Sequence, residues 1–305
     1  MITPSHATDY PPVVRIGSRT SALAMWQAHH VIALLTSAWP DLHCEIVPFV
    51  TKGDKTLDQS LPSIGGKGLF TAELEAELRR GGIDLAVHSL KDLPVENAPG
   101  TRLGAICARA DVRDTLVARN GWTLATLPSN AVVGTSSPRR QAQLLAHRPD
   151  LTVRSIRGNV ETRMRKVQEG DYHATLLAAA GLQRLGLDHA VTEWLTVEEM
   201  LPAPGQAALA IQCRADDTAT HTLLTAIHDV AAAAAVTAER EFLAGLGGGC
   251  SAPIAAFARH EEEKLRMDAL VGATDGRRMI RVHGVIDAPA DDASTDDAPV
   301  GDETT

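Results

Sequence analysis

The chain has 305 residues, 44% of them hydrophobic, 22% charged and 3% aromatic, a length and balance suited to two or three domains of a soluble globular protein. Its net charge of −9 is concentrated in residues 287–305, which hold six Asp, Glu303 and no base; without them the body carries −2. No secretory leader or membrane-length apolar run is read in the sequence, and the sparse aromatics leave no stacking platform for nucleic acid.

A strand over 13–16 turns at Gly17-Ser18-Arg19-Thr20 into a helix over about 21–37. Leu23, Trp26, His30 and Leu34 fall on one face of it, and Pro40 stops the element. A strand over 44–50 follows, then Ile64-Gly65-Gly66-Lys67-Gly68 and a helix near 69–80 closed by Gly81-Gly82. The glycine-flanked Lys67 is not a Walker loop, since Gly68 stands where Ser or Thr is needed; it reads as a flap or a flexible loop. The run 83–87 lacks polar alternation and reads as a strand buried on both faces, so this β-α-β-α-β order predicts a parallel sheet. Just beyond it stand His88, Ser89, Lys91 and Asp92, at the carboxyl end where open α/β sheets place ligands. Alone, the Lys91–Asp92 pair reads more readily as a surface turn.

A second unit of the same type begins near 111. A strand over 131–134 leads to Thr135-Ser136-Ser137-Pro138-Arg139-Arg140, with Ser137 as helix N-cap and Pro138 as first helical residue. Free N–H groups, the helix dipole and two guanidiniums make this the best local anion signal, against the plain alternative of a solvated helix start. A strand over 151–156 is followed by Arg157-Gly158-Asn159 and a helix carrying Arg163; after a strand over 174–178 comes Arg184. Pro202-Ala203-Pro204-Gly205 reads as a crossover back to the first unit. Residues 139–166 hold eight Arg or Lys against Asp150 and Glu161, a focused positive site that fits a small polycarboxylate. Repeated delivery of arginine at strand-to-helix turns, Arg19 included, argues for one common site.

After an alanine-rich helix over 229–245, Gly247-Gly248-Gly249-Cys250-Ser251-Ala252-Pro253 forms an open loop whose thiol can be alkylated. Cys44, Cys107 and Cys213 read as small buried hydrophobes. Four scattered cysteines without a CxxC pair fit reduced thiols in the cytoplasm, and the histidines show no metal-site spacing. Residues 254–286 alternate three strand-like segments in a small α+β domain, and the acidic end is expected to be disordered.

Taken in order, segments 15–27, 65–70, 84–94, 134–141, 154–163, 180–186, 201–206 and 248–253 closely resemble the porphobilinogen deaminase (hydroxymethylbilane synthase) family of tetrapyrrole biosynthesis. The resemblance implies an α/β fold: two periplasmic-binding-protein-like domains (1–110 with 207–227, and 111–206) plus a smaller α+β C-terminal domain (228–287) and a tail (288–305). It implies a dipyrromethane cofactor joined by a thioether to Cys250. The activity implied is head-to-tail condensation of four porphobilinogen molecules with release of ammonia, then hydrolysis to hydroxymethylbilane, by a monomer without nucleic-acid or membrane partners. Asp92 matches the catalytic carboxylate. Lys91, Ser136, Ser137, Arg139, Arg140, Arg163 and Arg184 match cofactor-binding positions, and Arg19, Ser21, Lys67, Phe70, Arg157 and Gln206 match substrate-binding ones. Three departures stand out: Ala207 where the family has Gly, Ser63 where it often has Lys, and the acidic tail in place of a long final helix. The competing readings are a non-enzymatic carboxylate receptor of the same architecture and an inactive or partner-dependent paralogue.

Overall fold

The computed structural model describes residues 13–55, 68–69, 71–247 and 252–287. The first unit comprises β1 (Val13–Arg19), α1 (Ala22–Ala38), β2 (His43–Phe49), a single helical turn α2 (Lys52–Lys55), α3 (Ala72–Arg80), β3 (Leu85–Ser89), a 3-10 turn (Leu90–Asp92) and β4 (Thr101–Ile106). Helix α1 starts because the Ser21 hydroxyl accepts the Ala24 N–H. Its buried stripe is Ala24, Gln27, Ala28, Val31 and Leu35, one position on from the face expected from sequence. Trp26 stays 36% exposed and stacks on His30, 4.9 Å between ring centroids. Helix α3 carries Glu73 and Glu75 in its first turn and Arg79 and Arg80 in its last, matching the helix dipole, and ends on left-handed Gly81.

The second unit comprises β5 (Asp114–Ala118), β6 (Val132–Gly134), α4 (Pro138–His147), β7 (Thr152–Arg154), α5 (Val160–Gln168), β8 (Ala174–Ala178), α6 (Ala179–Arg184) and β9 (Glu193–Trp194). The chain then returns to the first sheet through β10 (Leu209–Arg214) and α7 (Thr218–Thr225). The sheets run β2-β1-β3-β10-β4 and β7-β6-β8-β5-β9, the same plan twice. They are mixed, which corrects the expectation of a parallel sheet. β10 lies antiparallel between β3 and β4, and β5 antiparallel between β8 and β9. Each of these strands arrives by a crossover from the other unit. β10 enters where β3 ends (Leu209 opposite Ser89), so it must run the other way.

One apolar core joins Val14, Ile16, Val31, Leu35, Leu85, Val87 and Ile211; another joins Leu116, Val133, Leu144, Leu176 and Leu195. The third unit is α8 (Val230–Gly245), capped by Asp229, over an antiparallel meander of β11 (Ile254–Glu261), β12 (Lys264–Gly272) and β13 (Met279–Asp287). Ala235 of α8 packs on Ala258 and Leu265. By register, Ile280, Val282 and Ile286 share the face of Val271, Ala269 and Leu265, yet they are 68%, 48% and 58% exposed. Among the described residues nothing covers that part of the sheet. Ser63, the flap around Lys67, Cys250 and the acidic tail lie outside the described residues.

The three units meet at Glu239, a fully buried carboxylate on α8. It accepts Arg109 Nη1 and Nη2 (2.6 and 3.0 Å), the N–H of Gly205 (2.7 Å) and the N–H of Ala258 (2.7 Å). Arg109 and Gly205 belong to the two crossovers and Ala258 to the third sheet, so one side chain ties all three. Beside it Ala207 sits at φ +71°, a left-handed conformation that costs a residue with a Cβ about 1–2 kcal/mol. The chain therefore carries strain at the end of this crossover. Glu239→Gln leaves Arg109 without its counter-ion, and the expected loss is on the order of 3 kcal/mol. A urea-unfolding midpoint unchanged from wild type would show that the ion pair does not hold the junction.

Candidate active site

Sequence-local chemistry builds the first wall. The central strands β1 and β3 run parallel with Gly17 opposite Ala86, which brings their carboxyl ends side by side. Arg19, Thr20 and Ser21 leave the end of β1, and Ser89, Lys91 and Asp92 leave the end of β3. The 3-10 turn is anchored by Leu90 and Leu93, both buried, and the Leu90 N–H donates to the Ala208 carbonyl (3.0 Å). That anchoring turns Lys91 and Asp92 outward, and Ser89 accepts a bond from Gln27 Nε2 (2.9 Å).

The second wall comes from β7, α5 and α6. Gly158 takes φ +115°, Asn159 caps α5 by accepting the Thr162 N–H (2.9 Å), and Arg163 Nε donates to the Gly158 carbonyl (2.8 Å). Lys166 Nζ donates to the Arg157 carbonyl (3.2 Å), and Arg184 Nη2 to the Ala207 carbonyl (2.8 Å). Arg184 also lies over the Trp26 ring at 5.6 Å, which explains why α1 keeps that face free of its own core.

Between the walls lies a cleft of about 680 Å³. Seven basic residues line it (Arg19, Lys91, Arg140, Arg157, Arg163, Lys166 and Arg184), and among the described residues one carboxylate does, Asp92, which is exposed. So much like charge in a partly dry space makes a buried cation harder to hold. Burial, then Arg140 and Arg157, lowers Arg163 to about 10; burial, then Arg140, lowers Lys91 to about 8. Burial also lowers Arg157 and Arg184. Asp92 acts the other way on both Lys91 and Arg163. Such an arrangement can hold a ligand with several carboxylates.

Of the residues expected at the site, Arg19, Ser21, Lys91, Asp92, Arg140, Arg157, Arg163 and Arg184 come together here. Arg139 does not line the cleft. Its Nη1 donates to Asp114 (2.7 Å) and to the Leu201 carbonyl (2.6 Å), and it is buried because α4 turns it inward. Ser137 is occupied as the N-cap of α4, Ser136 bonds Ser155 and the Ile156 carbonyl, and neither lines the cleft. Gln206 is fully buried and reaches the site through Lys91 Nζ (3.2 Å). Lys67, Phe70 and Cys250 lie outside the described residues. Burial pushes the thiols of Cys107 and Cys213 up to about 12 and about 11, in line with an inert role. Sequence reasoning missed Lys166, which its three-residue spacing from Arg163 on one helix could have flagged. It also missed Asp114, for which the sequence offers no signal beyond a carboxylate opening an apolar run.

Comparison with known proteins matches residues 14–222 to the family model "Porphobilinogen deaminase, dipyromethane cofactor binding domain" and residues 233–298 to "Porphobilinogen deaminase, C-terminal domain". Among solved structures, the periplasmic VFT2 domain of Bordetella pertussis BvgS is 17% identical over 71% of this chain and 86% of its own, with a TM-score of 0.42. The periplasmic aliphatic sulphonate binding protein SsuA from Escherichia coli is 15% identical over 79% and 76%, also at 0.42.

Lys91 yields a pH-dependent expectation. A base whose proton affinity is lowered to about 8 is charged below that pH in the empty cleft and neutral above it. Calorimetric binding of citrate, whose own charge is constant in this range, is therefore expected to weaken roughly tenfold between about pH 7 and about pH 9. Lys91→Met flattens the profile, and a flat profile in the wild type would remove Lys91 from the binding electrostatics.

Proposed function

The chain belongs to the porphobilinogen deaminase family, and on that premise we propose which of its residues carry the reaction of a hydroxymethylbilane synthase. That reaction, a transferase step of tetrapyrrole synthesis, joins four porphobilinogen molecules head to tail with loss of ammonia and hydrolyses the product to hydroxymethylbilane. The observation that carries the assignment of roles is a cleft where, among the described residues, seven cations surround one carboxylate.

The side chains present fit the family's dipyrromethane cofactor. Each of its pyrroles carries an acetate and a propionate, and Lys91, Arg163 and Arg184 are cations whose proton affinity is lowered by burial. A polycarboxylate would supply the negative charge they lack. In this reading Lys91, Arg140, Arg163 and Arg184 hold the cofactor, while Arg19, Ser21 and Arg157 hold the porphobilinogen carboxylates. Charge-assisted hydrogen bonds of this kind fix position as well as affinity. When bound, the dipyrromethane supplies the pyrrole end to which substrate is joined. Its anchor is Cys250 in this reading, on the strength of the family motif in 248–253.

Asp92 has the remaining task. Loss of ammonia leaves a cation on the porphobilinogen side chain, which an arginine-lined cleft repels. One fixed carboxylate offsets that repulsion and stabilises the cation where it forms. The same oxygens can hold the proton delivered to the leaving amine and the one taken from the pyrrole. Arg19, Arg157 and Lys166 neutralise the substrate and are not asked to move protons. A monomeric, cytoplasmic enzyme is part of the reading, supported by the scattered thiols.

Asp92→Asn is expected to keep its unfolding midpoint and citrate affinity while turnover of porphobilinogen falls at least about a hundredfold. Near-normal turnover would take Asp92 out of the mechanism. Intact mass under denaturing conditions tests the anchor: the purified chain should exceed its sequence mass by two linked pyrrole units, and Cys250→Ser should not. An unmodified chain that stays so after incubation with porphobilinogen would overturn the reading.

A further inference from the structure

We propose that Asp114 is a positioning residue that sets the orientation of Arg140 and, through the side chain of Gln206, the orientation and charge of Lys91 in the cleft. Asp114 opens β5 and is fully buried. Its Oδ2 accepts Arg139 Nη1 (2.7 Å), and its Oδ1 accepts both Arg140 Nη2 (2.7 Å) and Gln206 Nε2 (2.9 Å). One carboxylate thus faces two guanidiniums, and the cluster keeps a surplus positive charge. Arg139 is turned away to the Leu201 carbonyl, so only Arg140 presents that surplus to the cleft. The burial of Asp114 and of both arginines makes this pairing strong in geometry and costly to break.

The second half of the argument is the polarity of an amide. An ionised carboxylate only accepts, so Gln206 must turn its Nε2 towards Asp114, where it also reaches the Val112 carbonyl (2.7 Å). Its Oε1 is then left facing Lys91 Nζ at 3.2 Å. Reversing that amide would set an NH2 against an ammonium. The acceptor at Asp114 therefore decides that Lys91 meets an oxygen. The charged groups acting on Lys91 are Arg140 and Arg139, which disfavour its proton, and Asp92 and Asp114, which favour it. Asp114 is thus the buried partner, and Asp92 the solvent-facing one, of the same ammonium.

The inference deepens the reading of this cleft as a site for pyrrole carboxylates and rests on it, but its first readout does not need that reading. The pH at which Lys91 becomes reactive is measured by competitive acetylation of the whole protein and peptide mass spectrometry. The wild type, compared with each variant in the same state of cofactor loading, supplies the reference midpoint. In Asp114→Asn it should fall by roughly one unit, because two arginines lose their counter-ion and the amide is free to reverse. Gln206→Met keeps the Arg139–Asp114–Arg140 pairing and should also lower the midpoint, so the test survives if Asp114→Asn does not fold. Both variants should raise KM for porphobilinogen more than they lower kcat, and Asp114→Glu should recover part of the midpoint if it folds. Folded variants with a wild-type midpoint and KM would overturn the proposal. If the wild type binds no porphobilinogen while the variants still shift the Lys91 midpoint, the functional reading fails and the relay stands.

Discussion

Like-charge repulsion is the constraint around which this molecule is arranged. Seven cations line one cleft of about 680 Å³, and each raises the free energy of the others. The molecule lowers that cost from behind the walls rather than within them. Asp114 compensates Arg139 and Arg140 from a dry site, and carbonyl oxygens of Gly158, Leu176 and Ala207 accept from Arg163, Arg140 and Arg184. Among the described residues the cleft itself keeps one carboxylate, Asp92, so its field is positive almost everywhere else.

The same device recurs at the joint between units. Glu239 gathers Arg109 and Gly205 from the two crossovers and Ala258 from the third sheet, as Asp114 gathers Arg139, Arg140 and Gln206. Both carboxylates are fully buried, and both touch the segment around Gly205 and Gln206 that carries the chain back into β10. That segment also contains Ala207, held at positive φ while its carbonyl accepts Arg184. A strained residue whose carbonyl nonetheless accepts from a cleft arginine is over-determined by its surroundings, which is how such conformations persist. Motion of one sheet relative to the other must pass through these bonds.

The sheet of the third unit shows the opposite case. α8 supplies small residues, Ala235 and Ala238, that pack with Ala258 of β11 and Leu265 and Met267 of β12. Ile280, Val282 and Ile286 continue the apolar face into solvent. The alternating pattern of β13 follows from its register with β12; the absence of cover among the described residues is a matter of how far one helix extends.

Local chemistry was legible in the sequence by itself. The Ser137 cap, the buried run ending in Lys91 and Asp92, the arginines at strand-to-helix turns and the order of the motifs all depend on residues within a turn or two of one another. Adjacent helix positions differ by about 100°, so nothing in Arg139-Arg140 says which faces ligand. Docking of α4 on the second sheet decided that: Arg140 reaches the cleft and Arg139 the Leu201 carbonyl. The antiparallel β5 and β10 were invisible for the same reason, since their direction depends on which unit the chain last left. Asp114 acquires its role only when residues 92 positions apart, Asp114 and Gln206, are brought together with Lys91. Short-range sterics and hydrogen bonding wrote the first set into neighbouring residues; the second is fixed by long-range burial, which only the folded chain supplies.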